Sequence, residues 1–291
     1  MNIVQKITLL ILLICTIFIS YSTYEFVYNF ISVKQVNPTK NIEHKDLPDK
    51  INVVLVGSDA RTKEERGRSD SLMILQYNRK LRKIKAISIM RDCYVEIPNY
   101  KKNKINAAYS FGGIELLTET LKNNFNIEAP YFISIKFQDF IDCINEIFPK
   151  GIEINAEKDL DLDGVFIKKG RQMMDGNTLL QYSRFREDEE GDFGRIRRQQ
   201  QVVKSIINQK KNISSIFKIP KAIGVFLGKI ETNLPKDAFI DFGIDFFKTK
   251  NTIDTLSIPV KYSWDFKNTS AGSVLDIDFK MNQEAISNFL N

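Results

Sequence analysis

Arg184, Arg186, Arg195, Arg197 and Arg198 crowd into the stretch from Tyr182 to Val203, YSRFREDEEGDFGRIRRQQQVV, beside Glu187, Asp188, Glu189, Glu190 and Asp192. The chain otherwise prefers lysine: it has 30 Lys and only 12 Arg, and five of the 12 lie here. A guanidinium is a planar fork of donors that grips phosphate or carboxylate at two points, which an ammonium does not do. An arginine-rich segment in a lysine-rich chain therefore points to recognition of an oxyanion. The alternative reading of the composition is a solvated charged turn before a polar helix. Arg184 and Arg186 are two apart, so an extended backbone would point both to one side. From Gly194 onward, RIRRQQQVVKSIINQ has helical character, with Ile196, Val202, Val203, Ile206 and Ile207 as an interrupted apolar stripe. Arg195 and Gln199 then share a face. Such a set can converge on one anion, which a helix N-terminus also favours.

Acidic and basic residues recur together beside three expected strands. Asp59 and Arg61 follow INVVLVG (51–57), Arg68 and Asp70 lead into a strand at 71–77, and Arg91 and Asp92 end KIKAISIMRD. One pair alone would be a salt bridge; three imply a shared polar site at strand ends, a common ligand position in α/β folds. Carboxylates among arginines suit a metal-bound phosphate, the carboxylates holding a hard cation such as Mg2+ and the arginines taking the remaining charge. The one histidine, His44, follows the N-terminal apolar run, so carboxylates, arginines or a metal must carry any catalysis. Cys15 lies in that run, and no CxxC pair exists to suggest zinc. Cys93 and Cys143 are expected as buried free thiols, with a disulfide as the alternative.

These residues need a scaffold and a location. Residues 7–24, ITLLILLICTIFISYSTY, are uncharged and long enough to cross a bilayer. The expected organisation is a cytoplasmic tail at 1–6, a transmembrane signal anchor at 7–28, a polar linker at 29–50 and an extracytoplasmic domain at 51–291. Lys6 before the run and Glu25 after it favour an N-inside orientation. A cleaved signal peptide, ending near Ser20-Tyr21-Ser22, is the competing reading. The net charge of +6 is mild and fits an anionic surface or ligand rather than nucleic acid. Further along come a turn at Pro98–Asn99, a helix after Gly112-Gly113, a strand at 131–137, a helix beyond it and a strand at 151–157. Helices follow at about 176–184, 213–231 and 235–248, then a strand at 252–260 and a C-terminal helix. Loose alternation of strands and helices makes the fold class α/β.

Taken together, VLVGSDAR (54–61), GRSDSLMI (67–74), SIMRDCYVEIP (88–98), KINAAYSFGG (104–113), QYSRFR (181–186) and GDFGRIRRQQQVV (191–203) resemble the LytR–CpsA–Psr family of cell-wall polymer ligases. The resemblance spans about Asn52 to Ile207 and is looser from 208 to 291. It implies a three-layer α/β/α sandwich with a central mixed sheet, preceded by one transmembrane helix in the cell membrane. It also implies a Mg2+-dependent phosphotransferase, with Mn2+ a second candidate ion. The reaction moves an anionic glycopolymer, such as teichoic acid or capsule, from a polyprenyl-pyrophosphate carrier to peptidoglycan. By resemblance Asp59 and Asp70 organise the metal, and Arg91, Arg184, Arg186, Arg195 and Gln199 bind pyrophosphate. Arg68 and Lys104 join the phosphate-binding set. Asp92 and Asp192 join the catalytic set as candidate bases. Met90 stands where a proline is usual, and Cys93 where a small hydroxyl residue is more typical. The prenyl tail needs an apolar groove, for which the Phe and Ile residues of 125–148 and 213–247 are candidates; ordinary core is their other reading. A protein that only binds the lipid carrier, or only hydrolyses its pyrophosphate, is the alternative function. A transcriptional role is disfavoured, because about six cytoplasmic residues cannot form a DNA-binding element.

Overall fold

The computed structural model describes residues 16, 20, 24, 34–35, 47–58, 69–209, 218–235, 238–239, 242–243 and 253–291. The chain opens with β1 (Lys34–Gln35), β2 (Lys50–Ser58), β3 (Ser69–Asn78), β4 (Lys83–Ile89), β5 (Tyr94–Val95) and β6 (Asn103–Lys104). Next come α1 (Ile105–Phe125), β7 (Tyr131–Lys136), α2 (Phe137–Ile147), β8 (Ile152–Ala156), β9 (Leu160–Leu162), β10 (Val165–Ile167) and β11 (Gly170–Met174). The remainder is α3 (Gly176–Arg184), α4 (Gly191–Gln209), α5 (Lys218–Gly228), β12 (Ile230–Thr232), β13 (Ile253–Ile258), β14 (Trp264–Thr269), β15 (Gly272–Ile277) and α6 (Phe279–Leu290).

Seven strands form the central sheet in the order β1-β12-β7-β2-β3-β4-β13. It is mixed: β2 runs parallel to β7 and antiparallel to β3, β3 is antiparallel to β4, and β4 is parallel to β13. The run of β-branched and apolar residues in β2 reflects burial on both faces. Val54 and Val56 join Leu72, Ile74, Ile87 and Ile89 beneath α1 and α6. Val53, on the opposite side, joins Ile133, Ile223 and Leu227 against α5. Val203 and Ile207 of α4 cover Ile84, Ala86 and Ile253. Helices therefore cover both faces, in the α/β/α arrangement expected.

Several boundaries differ from expectation. The anchor window 7–28 lies outside the described residues except for Thr16, Ser20 and Tyr24, which are helical and exposed. Among the described residues no helix is long and apolar enough to cross a membrane. The window expected as linker contributes to the fold: β1 pairs with β12, and Leu47 is buried against α5. Helix α1 starts before Gly112-Gly113 and bends there, because Gly113 tolerates φ 69° and ψ −152° without a Cβ clash. The helix expected at 213–231 stops at Gly228, where the chain joins the sheet as β12. Of the stretch 235–248, residues 238–239 and 242–243 are helical and most of the others lie outside the described set. The hairpins β8–β11, β9–β10 and β14–β15 were not expected beyond the strand at 151–157. Cys93 and Cys143 are buried free thiols, and burial pushes the Cys143 thiol up to about 12.

Helix α3 sits where its start meets α2. Asp175 caps it by accepting from the Thr178 N–H at 2.8 Å, and the Gly176 N–H donates to Asn145 at 2.8 Å. A Cβ on Gly176 would meet the Ile141 carbonyl oxygen at 2.3 Å and its Cα at 2.8 Å. Backbone cannot yield as a side chain does, so Gly176→Ala should lower unfolding free energy by about 2 kcal/mol. Urea unfolding checks this as a lower midpoint with unchanged slope.

Candidate functional site

Alternating strand directions bring unlike chain ends to one edge of the sheet. The C-terminal ends of β2, β4 and β7 meet the N-terminal end of β3 there. Asp70 is the second residue of β3, and Arg91 follows β4. Arg91 donates from Nη1 to Asp70 Oδ1 at 2.9 Å, and its Nε lies 3.4 Å from Asp192 Oδ2 and 3.7 Å from Asp92 Oδ2. Lys104 Nζ is 2.6 Å from Asp92 Oδ1, and Arg195 Nη2 donates to Asp192 Oδ2 at 2.9 Å. Thus Asp70, Arg91, Asp92, Lys104, Asp192 and Arg195 form one charge network from three separate parts of the chain. The Nε atoms of Arg91 and Arg195 are buried yet have no hydrogen-bond partner among the described residues. Buried donors of this kind are costly unless something completes them.

A cavity of about 190 Å³ opens beside the network. Its polar lining is Asp70, Ser71, Arg91, Ser183, Arg184, Arg186, Arg195 and Gln199; its apolar lining is Leu55, Met73, Ile135, Phe137, Phe140, Leu180, Val202 and Val203. Helix α4 is fixed across the sheet by Gln200, which donates to Ser88 Oγ at 3.1 Å and Ser257 Oγ at 2.9 Å. That presents Arg195 and Gln199, on one face as their spacing requires, to the cavity. The Ser71 hydroxyl donates to Gln199 Oε1 at 3.2 Å.

The expected extended backbone at Arg184 is corrected. Arg184 is the last residue of α3, and only Phe185 behind it is extended, with φ −56° and ψ 133°. Phe185 turns into the core, and both flanking arginines reach the cavity. Arg184 lies 5.2 Å over the Phe137 ring, and its Nη1 donates at 3.0 Å both to Gln181 Oε1 and to Asp163 Oδ2.

Asp92, Lys104 and Asp192 belong to the network but do not line the cavity, whereas Asp59 and Arg68 lie outside the described residues. Of the apolar candidates in 125–148, Ile135, Phe137 and Phe140 line it; no described residue of 213–247 does. Sequence reasoning missed Ser71, Gln181, Ser183 and Asp163. Asp163 sits in the β9–β10 turn, with φ 50°, and nothing in its spacing links it to Arg184.

The two remaining arginines of the opening stretch build structure. Arg198 is fully buried, donating to the Phe185 carbonyl at 2.6 Å and to Asp188 Oδ2 at 3.2 Å. Arg197 is gripped by Glu157 and Glu190, whose hydrogen bonds raise its pKa. Together they pin the acidic loop between α3 and α4.

Burial pushes the Asp192 carboxyl above its ordinary pKa, against the pull of Arg195 and Arg91. Burial likewise lowers Arg195, whereas at Arg91 it is outweighed by Asp192, Asp92 and Asp70, so that pKa rises. At Asp188 burial is outweighed by Lys158, Arg198 and the Gly191 N–H, which hold the carboxyl below its ordinary value. Asp188→Asn should leave Arg198 without its counter-charge and cost about 3 kcal/mol at pH 7. A carboxyl depressed in the fold contributes fully above the ordinary pKa of about 4 and loses that contribution as pH falls through its depressed value. Urea unfolding of parent and variant should show the gap at pH 7 and its narrowing as pH drops below about 4.

The LytR_cpsA_psr family model matches residues 19–288. The chain is 39% identical over 265 residues, 90% of this chain and 79% of the relative, to "Regulatory protein MsrR" of Staphylococcus aureus. It is 30% identical over 248 residues, 82% of this chain and 81% of the relative, to "Polyisoprenyl-teichoic acid--peptidoglycan teichoic acid transferase TagU" of Bacillus anthracis. Among solved structures, that of TagV from B. subtilis matches with a TM-score of 0.71 and 28% identity, covering 84% of this chain and 98% of that one. By sequence and by fold, then, the chain belongs to the LytR–CpsA–Psr family.

Proposed function

We propose that this protein is a glycopolymer transferase that moves an anionic polymer from a polyprenyl-pyrophosphate carrier onto peptidoglycan at the outer face of the cell membrane. The observation that carries the reading is the composition of one cavity: four arginines and eight apolar side chains line it together. A lipid-borne pyrophosphate likewise joins a charged head to an apolar tail. The transferase name of the TagU relatives supports the same chemistry. A regulatory role, as in the name of the staphylococcal relative, requires no such cavity.

In this reaction an acceptor hydroxyl oxygen attacks the phosphorus that bears the polymer. The new P–O bond forms as the bond to the carrier's own phosphate breaks, and polyprenyl phosphate leaves with that electron pair. Arg91, Arg184, Arg186 and Arg195 stabilise the charge that develops on the phosphoryl oxygens. The hydroxyl proton needs a base; Asp192, held beside the cavity by Arg195 and Arg91 with its pKa raised by burial, is the candidate we favour over Asp92.

Every paired arginine here already faces a carboxylate: Arg91 meets Asp70, Arg195 meets Asp192, and Arg184 meets Asp163. An incoming diphosphate therefore needs further positive charge. Mg2+ takes only one or two protein carboxylates and completes its shell with water and phosphate oxygens. Asp70 fits as one such ligand: it lines the cavity, and its Oδ1 alone bonds to Arg91. Asp59 would be the second. Among the described residues no group of three acidic, histidine or cysteine side chains forms a metal cluster. When bound, Mg2+ or Mn2+ would withdraw charge from the pyrophosphate.

Arg184→Ala should cut transfer of lipid-linked polymer to a peptidoglycan oligomer about a hundredfold, as loss of one such donor costs about 3 kcal/mol. Its thermal unfolding should match the parent, because Arg184 is 38% exposed and its ion pair contributes little stability. Full activity in that variant would overturn the proposal. Release of free polymer without a joined product would assign the protein to hydrolysis instead. Chelation with EDTA should stop transfer, and added Mg2+ should restore it.

A further inference from the structure

Arg184 is held through one nitrogen of its guanidinium and left open at the other two. Its Nη1 donates at 3.0 Å to Gln181 Oε1 and at 3.0 Å to Asp163 Oδ2, which uses both hydrogens of that nitrogen. Among the described residues its Nε and Nη2 make no hydrogen bond. A guanidinium edge with two free donors is what grips two oxygens of one phosphate. Arg184 lines the cavity, and the Phe137 ring supports one face of its guanidinium at 5.2 Å.

The two acceptors reach Arg184 by separate routes. Gln181 stands three residues earlier on α3 and is only 8% exposed, so its oxygen is carried on a helix and meets little competition from water. Asp163 comes from a different element. Leu162 pairs with Val165, so Asp163 and Gly164 alone make the β9–β10 turn, with φ of 50° and 77°. Two positive φ values in a two-residue hairpin loop are the type I′ geometry, which Asn-Gly fills as readily as Asp-Gly. The turn therefore accounts for a small side chain at 163 but not for its hydrogen bond to Arg184. The hairpin keeps its place because Leu160 and Ile167 pack in one cluster with Leu179 and Tyr182 of α3. A free arginine side chain loses much rotamer entropy when it binds, and one already held loses less.

We infer that Gln181 and Asp163 are positioning residues, which tie down Nη1 so that the open edge of Arg184 stands ready for a phosphate of the bound headgroup. The identity of that anion rests on the transferase reading above.

Full-length protein is titrated calorimetrically with farnesyl pyrophosphate and Mg2+, and the same variants are assayed for transfer. Gln181→Met keeps the buried bulk and the helix, and Asp163→Gly keeps the turn; each should bind about tenfold more weakly than the parent. Asp163→Asn, which puts an acceptor back on the same turn, should recover most of that loss. In an Arg184→Ala background neither Gln181→Met nor Asp163→Gly should weaken binding further, because each acts through that guanidinium. A tenfold effect that persists in that background marks a merely structural role and overturns the inference. So does parental affinity in both single variants. Tighter binding in Asp163→Gly makes the carboxylate a competitor of the phosphate and overturns it as well. A parent that does not bind the prenyl pyrophosphate overturns this inference together with the proposed function. Arg184-dependent binding without a joined product counts against the proposed function alone; intact transfer and binding in Gln181→Met and Asp163→Gly count against the positioning pair alone.

Discussion

A guanidinium withdrawn from water must be matched by negative charge, and Arg91 shows how this fold meets that demand. Asp70 arrives from the start of one strand, Asp92 from the next residue, and Asp192 from the first turn of a helix a hundred residues on. No local sequence could supply all three. The sheet's alternating strand directions bring the first two together, and α4, anchored through Gln200, brings the third. A solvated pair of this type would be nearly neutral in free energy, but a buried one penalises the loss of either partner. The fold thereby commits the sheet edge to one arrangement of charge.

Within a single acidic and basic run, burial separates two roles. Arg184, Arg186 and Arg195 face a cavity, while Arg197 and Arg198 hold the connecting loop. Arg195 and Arg198 are about one turn apart on the same helix, yet one lines the cavity and the other is held in the core by the Phe185 ring and carbonyl. Composition cannot distinguish them, because both are arginines beside acids. What differs is the environment each face of α4 meets.

The sheet strands were legible because buried strands in an α/β fold read as continuous apolar runs, as INVVLVG does. Helix α3, expected at about 176–184, spans Gly176–Arg184, with Asp175 as its cap. The arginines and Gln199 were legible from residue type and spacing, and most of them do meet at one cavity. The hairpins were not: the three-residue strands β9 and β10 offer too little alternation to recognise, and β14 is exposed along most of its length. Asp163 was hidden for a different reason: it touches Arg184 through tertiary placement that no periodicity encodes. The early start of α1 was masked by Gly112-Gly113, which reads as punctuation but here bends a helix already under way.

The last strand of the central sheet, β13, and the C-terminal helix lie where the resemblance is looser, yet they brace the motif residues. Met90 donates its N–H to the Ile258 carbonyl at 2.8 Å, one residue before Arg91, and Lys85 reaches the Phe289 carbonyl at 2.6 Å. A substitution in β13 or α6 could therefore shift the guanidinium of Arg91 by a fraction of an ångström while every motif letter stayed the same. Divergent descendants of one ancestor could retune which headgroup they hold by drift in this bracing alone, and a comparison confined to motifs would score them as identical.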